Sequence, residues 1–201
     1  MKLKICLFIP IAACLMSACS SGPSVRVVEQ SDSKPSWASL TRTTYEDSGN
    51  KYFVGYFTAD GDSRPSAVVN GSKTKALAMP LESISDDFLQ QSGVAEDDSG
   101  SSSKLIISAL RKNPPNIPGL QITSNYYERV EIQNGDGTAK NEIRAYSLAV
   151  CPVAEYNQAK HDALARLKGD PKVKKELDDI MAKQRDRALE NSNPSDTSSS
   201  N

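Results

Sequence analysis

The sequence predicts an α+β domain: a helix, kinked near Pro80, packed on a small antiparallel sheet, with further helices at the C-terminal end. Three observations carry this. Residues 51–58 read Lys-Tyr-Phe-Val-Gly-Tyr-Phe-Thr, an aromatic-rich strand bounded by turn residues. Residues 122–150 read as a hairpin, two alternating runs joined by Asn134-Gly135-Asp136-Gly137. Between and after these runs, apolar residues recur at helical spacing, first as Leu77, Leu81, Ile84 and Phe88, then from Val153 onward.

The N-terminus carries addressing rather than fold. Lys2 and Lys4 precede an apolar run over residues 5–16, interrupted only by Pro10. That run is well under the ~20 residues a bilayer crossing needs, so residues 1–18 read as a secretory signal. Its end, Leu15-Met16-Ser17-Ala18-Cys19, places a cysteine directly after small residues. This stretch resembles the lipobox of bacterial lipoproteins. The resemblance implies that Cys19 receives a diacylglycerol on its thiol, that the chain is cut before it, and that the new amine is acylated. No cofactor beyond this covalent lipid is expected. The other reading is an ordinary signal cut after Ala18. Each buried methylene contributes ~0.8 kcal/mol, so several acyl chains together anchor stably where one does not. Ser20, not Asp, follows the cysteine. By the sorting pattern of such lipoproteins, that implies the outer membrane, on its periplasmic or its cell-surface face.

Composition narrows the partners. The chain has a formal net charge of −1, which becomes about −3 once Lys2 and Lys4 leave with the signal. Such a balance offers no electrostatic footprint for nucleic acid. Of Cys6, Cys14, Cys19 and Cys151, two leave with the signal and one takes lipid. Cys151 then has no intramolecular disulfide partner, and reads as a buried small hydrophobe in preference to a free reactive thiol.

In chain order, residues 19–36 read as a lipidated polar tether with a brief apolar segment at 25–28. Pro35-Ser36-Trp37 opens the domain, which is expected to span residues 37–168. Trp37, the sole Trp, reads as a lid on the core edge, with ligand stacking as the alternative. In the 51–58 strand, Tyr52, Val54 and Tyr56 share one face, and Phe53, Gly55 and Phe57 the other. Gly55 inside a strand predicts close approach by another element. Asp62 or Ser63 can cap the helix that Arg64-Pro65 begins. Leu77, Leu81, Ile84 and Phe88 form its stripe, with Ala67 and Gly71 as earlier contacts. Pro80 cannot donate to the Ala76 carbonyl, so a kink or a break is expected. Residues 92–103 read as a low-complexity linker. Leu105, Ile106, Ala109 and Leu110 suggest a short helix, with a strand as the alternative, before the loop over 113–119.

On the hairpin, Ile122, Ser124, Tyr126, Glu128, Val130 and Ile132 alternate with polar residues. The return strand places Ile143, Ala145, Ser147, Ala149 and Cys151 on one face. It is apolar on both faces toward its end, which predicts a central position. Pro152 ends it. A helix with Val153, Tyr156, Ala163, Leu164 and Leu167 follows over 153–168, and Gly169 stops it. Asp170-Pro171 starts a charged helix over 169–190 with a narrow stripe, Val173, Leu177, Ile180 and Met181. So thin a stripe either docks lightly or waits for a partner. Trp37, Val173, Leu177 and Ile180 are therefore the candidate partner contacts. Residues 191–201 read as a disordered polar tail.

Several stretches resemble the Lpp20 family of bacterial outer-membrane lipoproteins. These are Pro35-Ser36-Trp37; Tyr52-Phe53-Val54-Gly55; Asp62-Ser63-Arg64 with Ala67, Ala76 and Ala78; and Arg144-Ala145-Tyr146-Ser147-Leu148 running into Pro152-Val153-Ala154-Glu155-Tyr156. The departures are Pro80 and the Ser/Gly/Asp insert at 96–103. The resemblance implies a small α+β domain and a place among outer-membrane antigens or flagellum-associated lipoproteins that build disks or rings. It brings no common catalytic residue set.

The residues themselves offer little catalytic chemistry. His161 is the only His and sits on a helix between Lys160 and Asp162. No metal-ligand spacing, nucleophile elbow or phosphate loop occurs. Asn134-Gly135-Asp136-Gly137 opens like a calcium loop, but Ala145 stands where the bidentate Glu belongs. Asp60 and Asp62, like Glu96-Asp97-Asp98, read as a solvated turn and linker. No enzyme is expected. The leading expectation is a structural or assembly lipoprotein of the envelope, possible as a homo-oligomer through a free sheet edge or the charged helix. The alternative is a periplasmic binding or regulatory module with an aromatic pocket near Trp37, Tyr52 and Tyr126, serving an envelope enzyme or a small ligand.

Overall fold

The computed structural model describes residues 24–38, 43–94 and 99–192. Their elements run β1 (Ser24–Gln30), β2 (Thr44–Asp47), β3 (Asn50–Asp60), α1 (Pro65–Gln91), α2 (Ser99–Lys112), β4 (Gln121–Gln133), β5 (Ala139–Pro152), α3 (Val153–Gly169) and α4 (Pro171–Ser192). The strands form one antiparallel sheet in the order β1-β4-β5-β3-β2. This is the expected α+β architecture, with helices on a small antiparallel sheet. β5 is central, in keeping with its apolar residues on both faces.

The helices cover one face. Phe53 and Ala149 from the sheet meet Ile84 and Phe88 of α1, Ile106 and Leu110 of α2, and Tyr156 and Ala163 of α3 in the main core. Cys151 is buried there as a free thiol. Gly55 is where α1 comes closest. A Cβ at that position would overlap the Ala76 amide nitrogen and the Ser72 carbonyl oxygen. The strand glycine therefore admits helix backbone where a side chain would stand. One residue pair ties this contact: Ser72 Oγ and Ser147 Oγ lie 2.6 Å apart, and Ser147 Oγ donates to Asn125 Oδ1 at 2.9 Å.

That proximity changes which face of α1 is buried. The buried row runs Val68, Ser72, Ala76, Pro80, Ile84 and Phe88, in steps of four. Leu77, expected in the stripe, is 42% exposed, and Ala67 is exposed too. Only small residues fit where the helix lies against β3, so Leu77 is displaced from the buried row, while Leu81, Ile84 and Phe88 pack on the core as expected. Gly71 is a contact as expected: a Cβ there would meet the Phe57 ring at 2.7 Å. α1 runs through Pro80 as one continuous, kinked helix, not two. Its N-cap is Arg64, with Pro65 inside the first turn and no side-chain cap, so neither Asp62 nor Ser63 caps it. Ser63 N–H instead donates to the Asp60 carbonyl at 2.9 Å, closing the turn.

Three further expectations change. Segment 25–28 is not tether. It lies in β1, paired with β4 from Ser24↔Gln133 to Gln30↔Glu128. The 92–103 linker is shorter than expected, because α2 begins at Ser99 and Ser102 is buried; residues 95–98, which include Glu96-Asp97-Asp98, lie outside the described residues. Ile122 leaves the face of Ser124 and Tyr126. A register shift between Ile122 and Ser124 turns it toward the helical core, with Thr123 Oγ1 donating to the Leu148 carbonyl at 3.3 Å.

The Asn134 turn is held by its own side chains: Asp136 Oδ1 accepts from Thr138 N–H at 2.9 Å and Asn134 Nδ2 donates to Thr138 Oγ1 at 2.9 Å. α3 buries Tyr156, Ala159, Ala163, Leu164 and Leu167. Asp170 Oδ1 accepts from Lys172 N–H at 2.8 Å at the start of α4. α4 reaches Ser192, two residues into the stretch expected to be a disordered tail; residues 193–201 lie outside the described residues.

Because the overlap at Gly55 is with helix backbone, which cannot rotate away, Gly55→Ala should lower unfolding free energy by ~2–4 kcal/mol. Urea titration followed by far-ultraviolet circular dichroism reads this. An unchanged midpoint would contradict the close approach.

Candidate functional site

The sheet face opposite α1 concentrates aromatic side chains. Alternation puts Tyr52, Val54 and Tyr56 of β3 on it, with Tyr146 and Leu148 of β5 and Tyr126 and Glu128 of β4 beside them in register. Tyr45 of β2 pairs with Tyr52. The rings are in contact: Tyr45 and Tyr52 stack at 4.8 Å between centroids, Tyr56 and Tyr146 lie at 5.1 Å, and Tyr126 and Tyr146 at 6.1 Å. Geometries of this kind contribute ~0.5–1.5 kcal/mol per pair beyond burial.

Residues 31–38 lie over one end of this face. Ser31 N–H donates to the Tyr127 carbonyl at 3.0 Å, and Ala38 N–H to the Pro35 carbonyl at 3.0 Å. Ala38 is buried, and half-buried Trp37 packs against the same cluster as Tyr52 and Tyr126. Trp37, Tyr52 and Tyr126, expected together, therefore do come together. Lys34 ties the segment down. Its Nζ donates to Glu128 Oε1 at 2.8 Å and sits 5.1 Å from the Tyr146 ring centroid.

Glu128 is the residue the sequence hides. It is 2% exposed and accepts on both oxygens, from Lys34 and from the Tyr126 hydroxyl at 3.0 Å. The available signal was its position: a carboxylate between Tyr126 and Val130 on the apolar side of an alternating strand. A charge is retained in such a place only with partners, and here a cation and a hydroxyl supply them.

The electrostatics follow from that arrangement. Burial pushes Tyr126 above the usual phenol range, and its hydrogen bond to Glu128 adds to the effect. Burial pushes Tyr146 up to about 12, with the Glu128 charge second. On the next rungs, Arg144 Nε donates to Glu142 Oε1 at 2.9 Å. Burial raises Glu142, but hydrogen bonds from Arg144 and Thr58 outweigh it and hold the carboxyl below its usual value. The face thus offers ring surfaces at one end and an ion-paired rim at the other. It presents hydrogen-bonding and stacking surface, and its one buried carboxylate is occupied by Lys34 and the Tyr126 hydroxyl.

The remaining candidates lie elsewhere. Cys19 is outside the described residues. Val173 and Ile180 are buried, and Val173 and Leu177 join the main core, on the side of the sheet away from Trp37. The α4 stripe therefore docks within the chain, against α2 and α3. Burial pushes the Cys151 thiol up, partly opposed by Lys51, so the thiolate nucleophile is suppressed. His161 is exposed, with Nδ1 3.5 Å from Asp162 Oδ1, beside an open groove of about 330 Å³ that Lys160 and Lys168 also line. Among the described residues, no group of three or more His, Cys, Asp or Glu could hold a metal ion, and no helix is long and apolar enough to cross a membrane.

The tyrosines give an alkaline signature. Tyr156, like Tyr146, is pushed up to about 12, mainly by burial. Above pH ~10 the unfolded chain loses phenol protons that the folded chain keeps, so stability is full below pH 10 and falls toward pH 12. Tyrosinate absorbance should therefore rise in two stages, the second coinciding with loss of near-ultraviolet circular dichroism. A single transition near pH 10 with the fold intact would contradict it. No protein-family model, curated protein or solved structure matches this chain.

Proposed function

We propose that this protein is an outer-membrane lipoprotein, held by acyl chains on Cys19, that serves as a non-catalytic structural or assembly component of the cell envelope. The observation that carries the reading is Leu15-Met16-Ser17-Ala18-Cys19 at the end of a basic-then-apolar leader. Two others support it. β2 has a strand neighbour on one side only among the described residues, which leaves an edge for protein partners, a second copy included. Among the described residues, the Cys151 thiol is buried and His161 lies exposed on α3, a placement that suits a non-catalytic role. The resemblance to the Lpp20 family extends the proposal to a flagellum-associated structure.

A second reading, a periplasmic binding or regulatory module for an envelope enzyme or a small ligand, is favoured by one observation. Trp37 and five tyrosines, Tyr45, Tyr52, Tyr56, Tyr126 and Tyr146, gather on one sheet face around a buried, ion-paired carboxylate.

Labelled palmitate should enter the full-length protein and not Cys19→Ala, and the variant should leave the membrane fraction. Equal labelling, or unchanged fractionation, would remove the anchor. Light scattering on residues 20–201 then separates the two readings: masses above the monomer support assembly, and a monomer at high concentration supports the binding module.

A further inference from the structure

The placement of β1 points to a membrane-contacting edge: we infer that Val25, Val27 and Val28 rest against the phospholipid interface that Cys19 enters. The inference rests on acylation at Cys19. Five residue steps separate Cys19 from Ser24, where β1 begins. At ~3.3–3.6 Å per residue they span at most about 18 Å, whatever their conformation. The domain therefore cannot stand off the bilayer as a 17-residue tether would allow, and β1 is the element held nearest.

The surface of β1 suits that place. All seven of its residues are exposed. Of the five large hydrophobic residues exposed among the described residues, three are on this strand: Val25 at 53%, Val27 at 46% and Val28 at 44%. Val25 and Val27 lie in register with Ile132 and Val130 on β4, which continue the apolar surface inward. Exposed valines so concentrated need an occupant.

Two observations select lipid over a second copy. The ladder breaks between Val27 and Glu29, and a bulge of this kind twists an edge away from strand-on-strand pairing. The carboxylate of β1 is also matched within the sheet, with Arg129 Nε 3.2 Å from Glu29 Oε2. Arg26 stands opposite Glu131 in strand register. The three valines make the contact itself apolar, and zwitterionic phospholipid suffices for it. Its consequence is orientation. Four strand spacings of ~4.8 Å set β2 roughly 19 Å across the sheet from β1. β2, with the Tyr45–Tyr52 stack, is then the edge presented away from the bilayer.

The test uses the full-length protein from a host that acylates lipoproteins, its acyl groups confirmed by mass, in phosphatidylcholine vesicles. An environment-sensitive fluorophore is placed at Val27→Cys or, on the far edge, at Asp47→Cys; unsubstituted protein provides the blank for Cys151. The probe at 27 should be quenched by lipid-borne nitroxide at least about twofold more than the probe at 47, and should be the better shielded from aqueous iodide. Acylated protein whose probe at 27 is as open to iodide as that at 47 would overturn the inference and leave the anchor standing. Disulfide-linked dimers of unlabelled Val27→Cys in the vesicles would give the strand to a second copy, and overturn it equally. Absence of acyl mass would remove the anchor and the inference together.

Discussion

Helix α1 lies against β3 so closely that no side chain fits between them at Gly55. Much of the architecture follows from that single approach. It requires Ser72 and Ala76 on the helix side, because larger residues would push the backbones apart. It sets the buried row of α1 by geometry, so Pro80 can occupy a core position while Leu77 turns outward. It brings Ser72 onto Ser147, whose hydroxyl is satisfied in turn by Asn125. A buried hydroxyl without such partners would cost ~1–3 kcal/mol, so the chain of three also fixes the register between helix and sheet. With α1 placed, α2 and α3 close on it through Ile106 and Tyr156, and α4 packs on them through Val173.

Covering one face so completely leaves the other to different chemistry. There, rings supply the apolar area and their hydroxyls supply polar ends, which suits a sheet face that is only partly covered. The covering segment is fastened by a charge pair whose partners differ in environment: Glu128 is buried, whereas the Lys34 side chain is 45% exposed. Such a pair contributes less to net stability than its 2.8 Å distance suggests, since water screens the lysine. Its larger effect is on placement, because a carboxylate buried in that cluster without Lys34 would be costly. The segment over residues 31–38 is thereby directed across the tyrosines.

The pattern of successes in the sequence reading follows from range. Periodicity located β3, the β4–β5 hairpin, α3 and α4, because alternation and helical spacing are local properties of the chain. Gly55 announced a close neighbour, since glycine inside an aromatic strand lacks a local reason. Cys151 was legible as buried from its type and its side of β5. The misreadings all needed a partner element. Segment 25–28 looked like tether because seven exposed residues carry no amphipathic signal, and only the free side of β4 makes them a strand. The α4 stripe could either dock lightly or await a partner, and only the placement of α2 and α3 decided for docking. Ile122 changed face through a single-residue register shift that alternation cannot reveal.

By itself the sequence determined the α+β class, the central position of β5 and the faces of β3, because these depend on residue type and spacing along the chain. Only the tertiary structure decided that Ser72, Ala76 and Pro80 line the buried row of α1 while Leu77 does not, that Glu128 is an interior charge held by Lys34, and that β1 begins at Ser24. Those outcomes rest on contacts between residues far apart in sequence, such as Lys34 with Glu128 and Ser72 with Ser147. Their partners are set by how helix and sheet fit together in space, which no local pattern encodes.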